Sequence, residues 1–238
     1  MRTDDLRISR VRPCLRRRSS PEEIPLTARA GDCVASARRT IEAILDGRDH
    51  RMLVIVGPCS ILRPEGGHRR HAQRLRELAE RVRDRVFIVM RVYFEKPLTV
   101  VGWKGLINDP DLDSSYHINK GLRLARQLLA DIAEMGLPAG TEFLDTDIRQ
   151  FYTDLVSWGA IGARAPPRAR CTVSLFRAVD ARGHQESHRR QRAGRRGSHS
   201  GGAGSGTCFL RLTKEGAPAI LETTGNPYCH LVLRGGTR

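Results

Sequence analysis

The chain has 238 residues, a formal net charge of +15, 39% hydrophobic and 5% aromatic residues, and six cysteines. The length accommodates one large α/β domain or two small ones, and no stretch approaches the ~18 uninterrupted apolar residues of a membrane-spanning helix. Arg2, Arg7, Arg10, Arg12 and Arg16 to Arg18 interrupt the N-terminus, which predicts no secretory signal and a cytoplasmic protein. Cysteines 14, 33, 59, 171, 208 and 229 form no Cys-x-x-Cys pair and read as reduced thiols.

Residues 1–31 are polar, Arg-rich and broken by Pro13, Pro21 and Pro25, which predicts an irregular arm. From Asp32, apolar residues Val34, Ala37, Ile41, Ile44 and Leu45 recur at helical spacing, and Gly47 closes the helix. Met52 to Val56 is a short apolar, β-branched run ended by Gly57-Pro58, as in parallel strands buried on both faces. A helix follows over 72–82, and a second buried strand over 86–93. Leu122, Ala125, Leu128, Leu129, Ile132 and Met135 predict a third amphipathic helix, with Ser114 or Ser115 as its cap and Gly136 and Pro138 as its stop. Short strands are expected at 142–144 and 160–163, with a helical stretch over 151–158 between them, and a last one at 230–233. Alternating strands and helices indicate a parallel α/β fold.

In such folds chemistry gathers at the carboxyl ends of the strands. Those ends carry Cys59, then Arg91 with Lys96, then Arg164, and finally Arg234. Each alone is also what a solvated arginine or thiol beyond a strand looks like. Four together make a cationic rim with one soft ligand, suited to a small substrate bearing phosphate and carboxylate. The charge by itself would equally suit nucleic acid, but aromatics for stacking are scarce and the cations sit at strand ends rather than along one helix.

Several of these stretches resemble the microbial class I 3-deoxy-D-arabino-heptulosonate 7-phosphate (DAHP) synthases. They are Val56-Gly57-Pro58-Cys59-Ser60-Ile61, the segment from Val89 to Pro97, the run from Val101 to Pro110, Glu142-Phe143-Leu144-Asp145, the segment from Ser157 to Arg164, and Leu233-Arg234-Gly235-Gly236. The resemblance implies a TIM (β/α)8 barrel, here incomplete, that joins phosphoenolpyruvate to erythrose 4-phosphate in an aldol-type transfer opening the shikimate pathway to aromatic amino acids. It implies a divalent metal ion (Mn, Fe, Co or Zn) with Cys59 as one ligand. It also implies Arg91 and Lys96 as catalytic groups that hold phosphoenolpyruvate together with Arg164 and Arg234. An aromatic amino acid effector and a homo-oligomer are implied as partners, with no membrane and no nucleic acid. The chain departs from the family where Leu98 replaces an arginine for the aldose phosphate, where Leu62-Arg63 replaces His-Asp, and where Thr146 to Arg149 lacks the usual proline. It ends after what corresponds to the sixth barrel strand, so the two strands carrying the family's other metal ligands are expected to be missing.

Residues 165–206 fit neither flank: nine arginines against Asp180 and Glu186 give +7, leaving +8 for the remaining 196 residues. Codons for Ala165 to Ser174, read from the third base of each, permit Thr-Thr-Glu-Ser-Gln-Val-His-Arg-Glu, which is the family's continuation. Gln185 to Gln191, read from the second base, permits Lys-Asn-Arg-Thr-Asp-Gly-Asn, which again resembles the family. The organisation predicted is therefore an arm over 1–31, the first part of a barrel over 32–164, an out-of-frame segment over 165–206, and an insertion hairpin with the sixth strand over 207–238. The competing expectations are a decayed product that does not fold and, behind it, a basic nucleic-acid-binding protein. Sequencing the gene tests the frame reading: a displaced frame over 165–206 is expected, and an unbroken, transcribed frame encoding these 42 residues would contradict a sequencing error.

Overall fold

The computed structural model describes residues 8, 10–62, 67–96, 102–145, 148–161, 181–186, 207–213, 215–223, 226–228 and 230–233. A short helix, α1 (Ser19–Glu23), precedes α2 (Ala28–Leu45), so the helical chain begins before the expected boundary at Asp32. The reason is local: the Thr27 side chain accepts a hydrogen bond from the Ala30 backbone N–H and caps α2 seven residues ahead of Val34, the first residue of the apolar repeat. Then follow β1 (Met52–Val56), α3 (Gly67–Arg81), β2 (Val86–Arg91), α4 (Ile118–Glu134), β3 (Ala139–Glu142) and β4 (Trp158–Ile161). Beyond these lie β5 (Ala181–Glu186), the antiparallel hairpin β6 (Thr207–Leu212) and β7 (Pro218–Thr223), and β8 (His230–Leu233).

Six strands form one sheet in the order β1-β2-β3-β4-β5-β8, every neighbouring pair parallel. This is the sheet of a partial barrel, with strands laid down in chain order and the β6–β7 hairpin outside it. β2 shows the period of two that a doubly covered strand requires. Ile88 and Met90 join the main core with Leu75 of α3 and Leu122, Leu129 and Ile132 of α4, while Val89 packs on the opposite face with Ile41 and Trp158.

Three local expectations change. Helix α4 starts at Ile118 with His117 as its cap residue: the chain before it is left-handed at Ser114 (φ 62°) and Tyr116 (φ 53°), and the Ser115 hydroxyl shares a hydrogen bond with His117 Nδ1. The 151–158 helix is replaced by two 3₁₀ turns, Ile148–Phe151 and Thr153–Leu155, and the strand opens at Trp158. The third strand lies at 139–142, so Phe143 and Leu144 belong to the loop after it. The 3₁₀ turns are held from outside by Arg38, which donates to the carbonyls of Thr153 and Val156, and by Arg126.

Arg126 is 1% exposed, pairs both nitrogens of its fork with Asp154 at 2.7 Å, and donates to the carbonyls of Phe151 and Ile24. One guanidinium thus ties α4, the 3₁₀ turns and the chain after α1. Arg126→Ala removes the donors to Asp154 and to the Ile24 carbonyl, while the Phe151 carbonyl keeps the Ser20 hydroxyl, and should lower unfolding stability by about 3 kcal/mol, measured as a fall in the denaturant midpoint at unchanged slope.

Candidate active site

The parallel register aligns Val56 with Met90, so the loops after β1 and β2 leave the sheet at the same edge. The contact there is close enough to require glycine. A Cβ at Gly57 would lie 2.6 Å from the Arg91 carbonyl oxygen. The Ile61 N–H then donates to the Tyr93 carbonyl at 2.9 Å, fastening the loop that carries Cys59 against the chain leaving β2. Cys59 itself is exposed and free.

Arg91 ends β2. Its guanidinium carbon stands 4.1 Å from the centre of the Tyr93 ring, an orientation that fixes the fork without neutralising it. Its Nε is buried and has no hydrogen-bond partner among the described residues, whereas buried donors are normally paired.

Lys96, half-buried, stands five residues further on, where its N–H donates to the Lys104 carbonyl and Glu95 bridges Gly105 in antiparallel fashion. A Cβ at Gly105 would approach the Phe94 carbonyl to 2.2 Å, and its φ of 105° lies in the left-handed region, so this return also depends on glycine. Beyond it the Trp103 indole donates to the Asp109 carbonyl at 2.7 Å.

Cys59, Arg91 and Lys96 therefore come to one edge of two adjacent strands. Arg164 and Arg234 lie outside the described residues. The strands that lead toward those positions, β4 and β8, run parallel to β1 and β2 in the same sheet. Two cavities, of 370 and 430 Å³, lie elsewhere: one between Arg12, Cys14, His117 and Lys120, the other beside Cys33, Phe87 and Pro138. Neither includes a rim residue.

Sequence reasoning passed over Glu95, although a carboxylate directly after Tyr93-Phe94 is an acid inside an apolar run. It is 6% exposed, and its Oε2 accepts hydrogen bonds from the backbone N–H groups of Leu144 at 3.1 Å and Asp145 at 3.5 Å. Burial, with smaller contributions from the charges of Asp145 and Glu142, raises its pKa from 4.5 to about 7, against the two N–H bonds, which lower it. Tyr152 lies nearby, edge-on to Phe94 with ring centres 5.8 Å apart, its hydroxyl buried without a partner and its pKa raised well above 10.0 by burial.

Among the described residues, no group of three or more His, Cys, Asp and Glu side chains converges to hold a metal ion. A divalent cation needs three or four donors, so Cys59 alone does not make a site.

A family model described as the DAHP synthetase I family matches residues 23–238. The chain is 45% identical to the Trp-sensitive phospho-2-dehydro-3-deoxyheptonate aldolase of Enterobacter agglomerans, over 99% of this chain and 67% of that one. It is 45% identical to the Phe-sensitive aldolase of Escherichia coli, over 98% and 66%. The chain thus spans about two thirds of the length of these curated relatives. The solved structure of the aldolase from Francisella tularensis superposes with a TM-score of 0.89 at 40% identity, covering 96% of this chain and 67% of that one.

The raised Glu95 pKa carries a pH consequence. The folded state holds this proton up to about pH 7, whereas the unfolded chain releases it near 4.5. Between those values the native state binds more protons, so stability falls as pH rises. Relative to Glu95→Gln, which retains an acceptor but does not titrate, the wild-type chain should lose about 3 kcal/mol of unfolding free energy from pH 4.5 to 7.5. Denaturant melts of both proteins across that range measure the difference, and parallel curves would show that Glu95 ionises normally.

Proposed function

Because the chain belongs to the DAHP synthetase I family, we propose that its strand-end rim is the phosphoenolpyruvate-binding part of a DAHP synthase. That enzyme condenses phosphoenolpyruvate with erythrose 4-phosphate to DAHP and phosphate, the first step of the shikimate pathway. The observation that carries this reading is Arg91: a strand-end guanidinium braced by Tyr93 with a buried Nε that has no partner among the described residues. Arginine presents a planar fork to phosphate or carboxylate, and fixed cations at such a site stabilise the charge that develops as phosphate departs. Lys96 supplies a second cation on the same loop. Arg164 and Arg234, by their match to the family's motifs, complete the set around the same ligand.

The family's divalent metal would meet Cys59, whose exposed sulfur is a soft donor. Bound there with further donors, it would act as a Lewis acid toward the aldehyde. The described residues by themselves do not hold it. The Trp- and Phe-sensitive names of the relatives support an aromatic amino acid as effector, and a homo-oligomer in the cytoplasm belongs to the same reading. No described helix is long and apolar enough to cross a membrane.

The out-of-frame reading of 165–206 belongs to this proposal. β5 lies inside the sheet, paired with β4 and β8, yet its sequence is Ala-Arg-Gly-His-Gln-Glu. Interior parallel strands are normally apolar on both faces, as β2 is.

The test is metal-supported consumption of phosphoenolpyruvate that depends on erythrose 4-phosphate. The chain as written should show none. A version read in the family's frame through 165–206 and extended to the length of its relatives should be active. In that version Lys96→Ala or Arg91→Ala should cost about 100-fold or more in kcat/KM, and Cys59→Ala should abolish turnover together with bound metal. Activity of the written chain, or wild-type rates in these variants, would count against the assignment.

A further inference from the structure

Glu95 is tied into the rim twice. Its main chain bridges Gly105, and its side chain crosses to the loop after β3, where Oε2 takes the N–H groups of Leu144 and Asp145. Those two donors lie just beyond Glu142, the last residue of β3, in a part-buried position. One carboxylate oxygen has lone pairs for both. The residue that follows Glu95 in the chain is Lys96, whose own N–H is held by Lys104.

We propose that Glu95 is a positioning residue: its carboxylate clasps the loop after β3 to the loop after β2, and the clasp sets where Lys96 stands at the strand ends. That Lys96 meets a phosphate- and carboxylate-bearing ligand rests on the function proposed above. The clasp itself rests on the geometry alone.

Few groups other than a carboxylate or carboxamide fit the place. A hydrophobic side chain would leave two backbone donors unpaired, and loss of paired buried groups is felt locally. The ionisable groups around Glu95 are Asp145 and Glu142 from β3 and its loop, and Tyr152 and Arg149 from the 3₁₀ turns. The two acids oppose its charge, and Arg149 acts on the neighbouring Tyr152. Glutamine, which keeps the acceptor and has no charge, should therefore preserve the clasp.

The experiment uses the 238-residue chain with Glu95 intact, Glu95→Ala and Glu95→Gln. Amide exchange by NMR reads the clasp, and acylation of Lys96 by an amine-reactive ester reads its position. Glu95→Ala should speed exchange at Leu144 and Asp145 by about tenfold or more and change the Lys96 acylation rate at least about threefold, with Val54 and Ile55 amides unaltered. Glu95→Gln should restore both. Unchanged exchange at Leu144 and Asp145 in Glu95→Ala, or faster exchange with Lys96 reactivity unmoved, overturns the proposal. If Glu95→Ala also loses protection in the β1–β2 ladder, Glu95→Asp replaces it. Its carboxylate is one methylene short, and the same two readouts decide. Phosphoenolpyruvate is titrated in parallel through tryptophan fluorescence. A weaker affinity in Glu95→Ala supports the role, and equal affinity overturns it. If the intact chain binds no phosphoenolpyruvate, the ligand assignment fails while exchange and acylation still judge the clasp.

Discussion

The in-register parallel pairing of β1 with β2 is the constraint on which the rest of the molecule depends. Five consecutive residue pairs, Met52 with Val86 through Val56 with Met90, set both strands to end at one level. Immediately past that level the backbone of Gly57 lies against Arg91 with no room for a side chain. A slip of one residue would turn Arg91 toward the other face of the sheet and bring Met90 to the place where the cation stands. The functional edge is thus a by-product of burying two apolar strands correctly, as is common for parallel sheets, whose loops collect at the carboxyl ends.

From that edge outward the apolar core continues through Leu106, Phe143, Phe151 and Leu155, and polar side chains secure the irregular backbone beside it. Arg126 gathers the carbonyls of Ile24 and Phe151 and the carboxylate of Asp154. Arg38 does the same for Thr153 and Val156. Glu95 performs the opposite task, receiving backbone donors at the end of β3. Each is a single charged side chain satisfying several backbone groups that no helix or strand can pair. Irregular backbone between elements is where such groups are needed, because its N–H and C=O groups have no ladder to enter. Of the three, Glu95 is the one next to the rim, since the residue that follows it is Lys96.

Electrostatics divides the rim into two layers. Arg91, braced on Tyr93, and Lys96 present positive charge at the surface of the strand ends. Beneath them lies Glu95, with Glu142 and Asp145 opposing its ionisation. With its pKa raised to about 7, this buried acid is about half protonated at neutrality and offsets the nearby cations less than a fully ionised carboxylate would.

Much of this could be read in the chain itself. The apolar runs at 52–56 and 86–91, the helical repeats of α2 and α4, and the glycine at 47 are local signals, since periodicity and chain reversal act over a few residues. The placement of Cys59, Arg91 and Lys96 at strand ends followed directly from those boundaries, and the motifs around them were specific enough to indicate the family. What required the tertiary structure was every choice among competing local partners. Ser114 and Ser115 are good helix caps, but the chain is left-handed at Ser114 and Tyr116 and the Ser115 hydroxyl pairs with the His117 ring. The 151–158 stretch has helical composition, but Arg38 and Arg126 reach it from distant helices and hold it as two tight turns. Glu95 is an ordinary acid in sequence, and only the arrival of β3 and its loop from some 50 residues away buries it and supplies its donors. Local patterns thus set which segments are strands and helices and which cations end them. Which polar groups those segments exchange depends on contacts between residues far apart in the chain, and no local pattern contains that information.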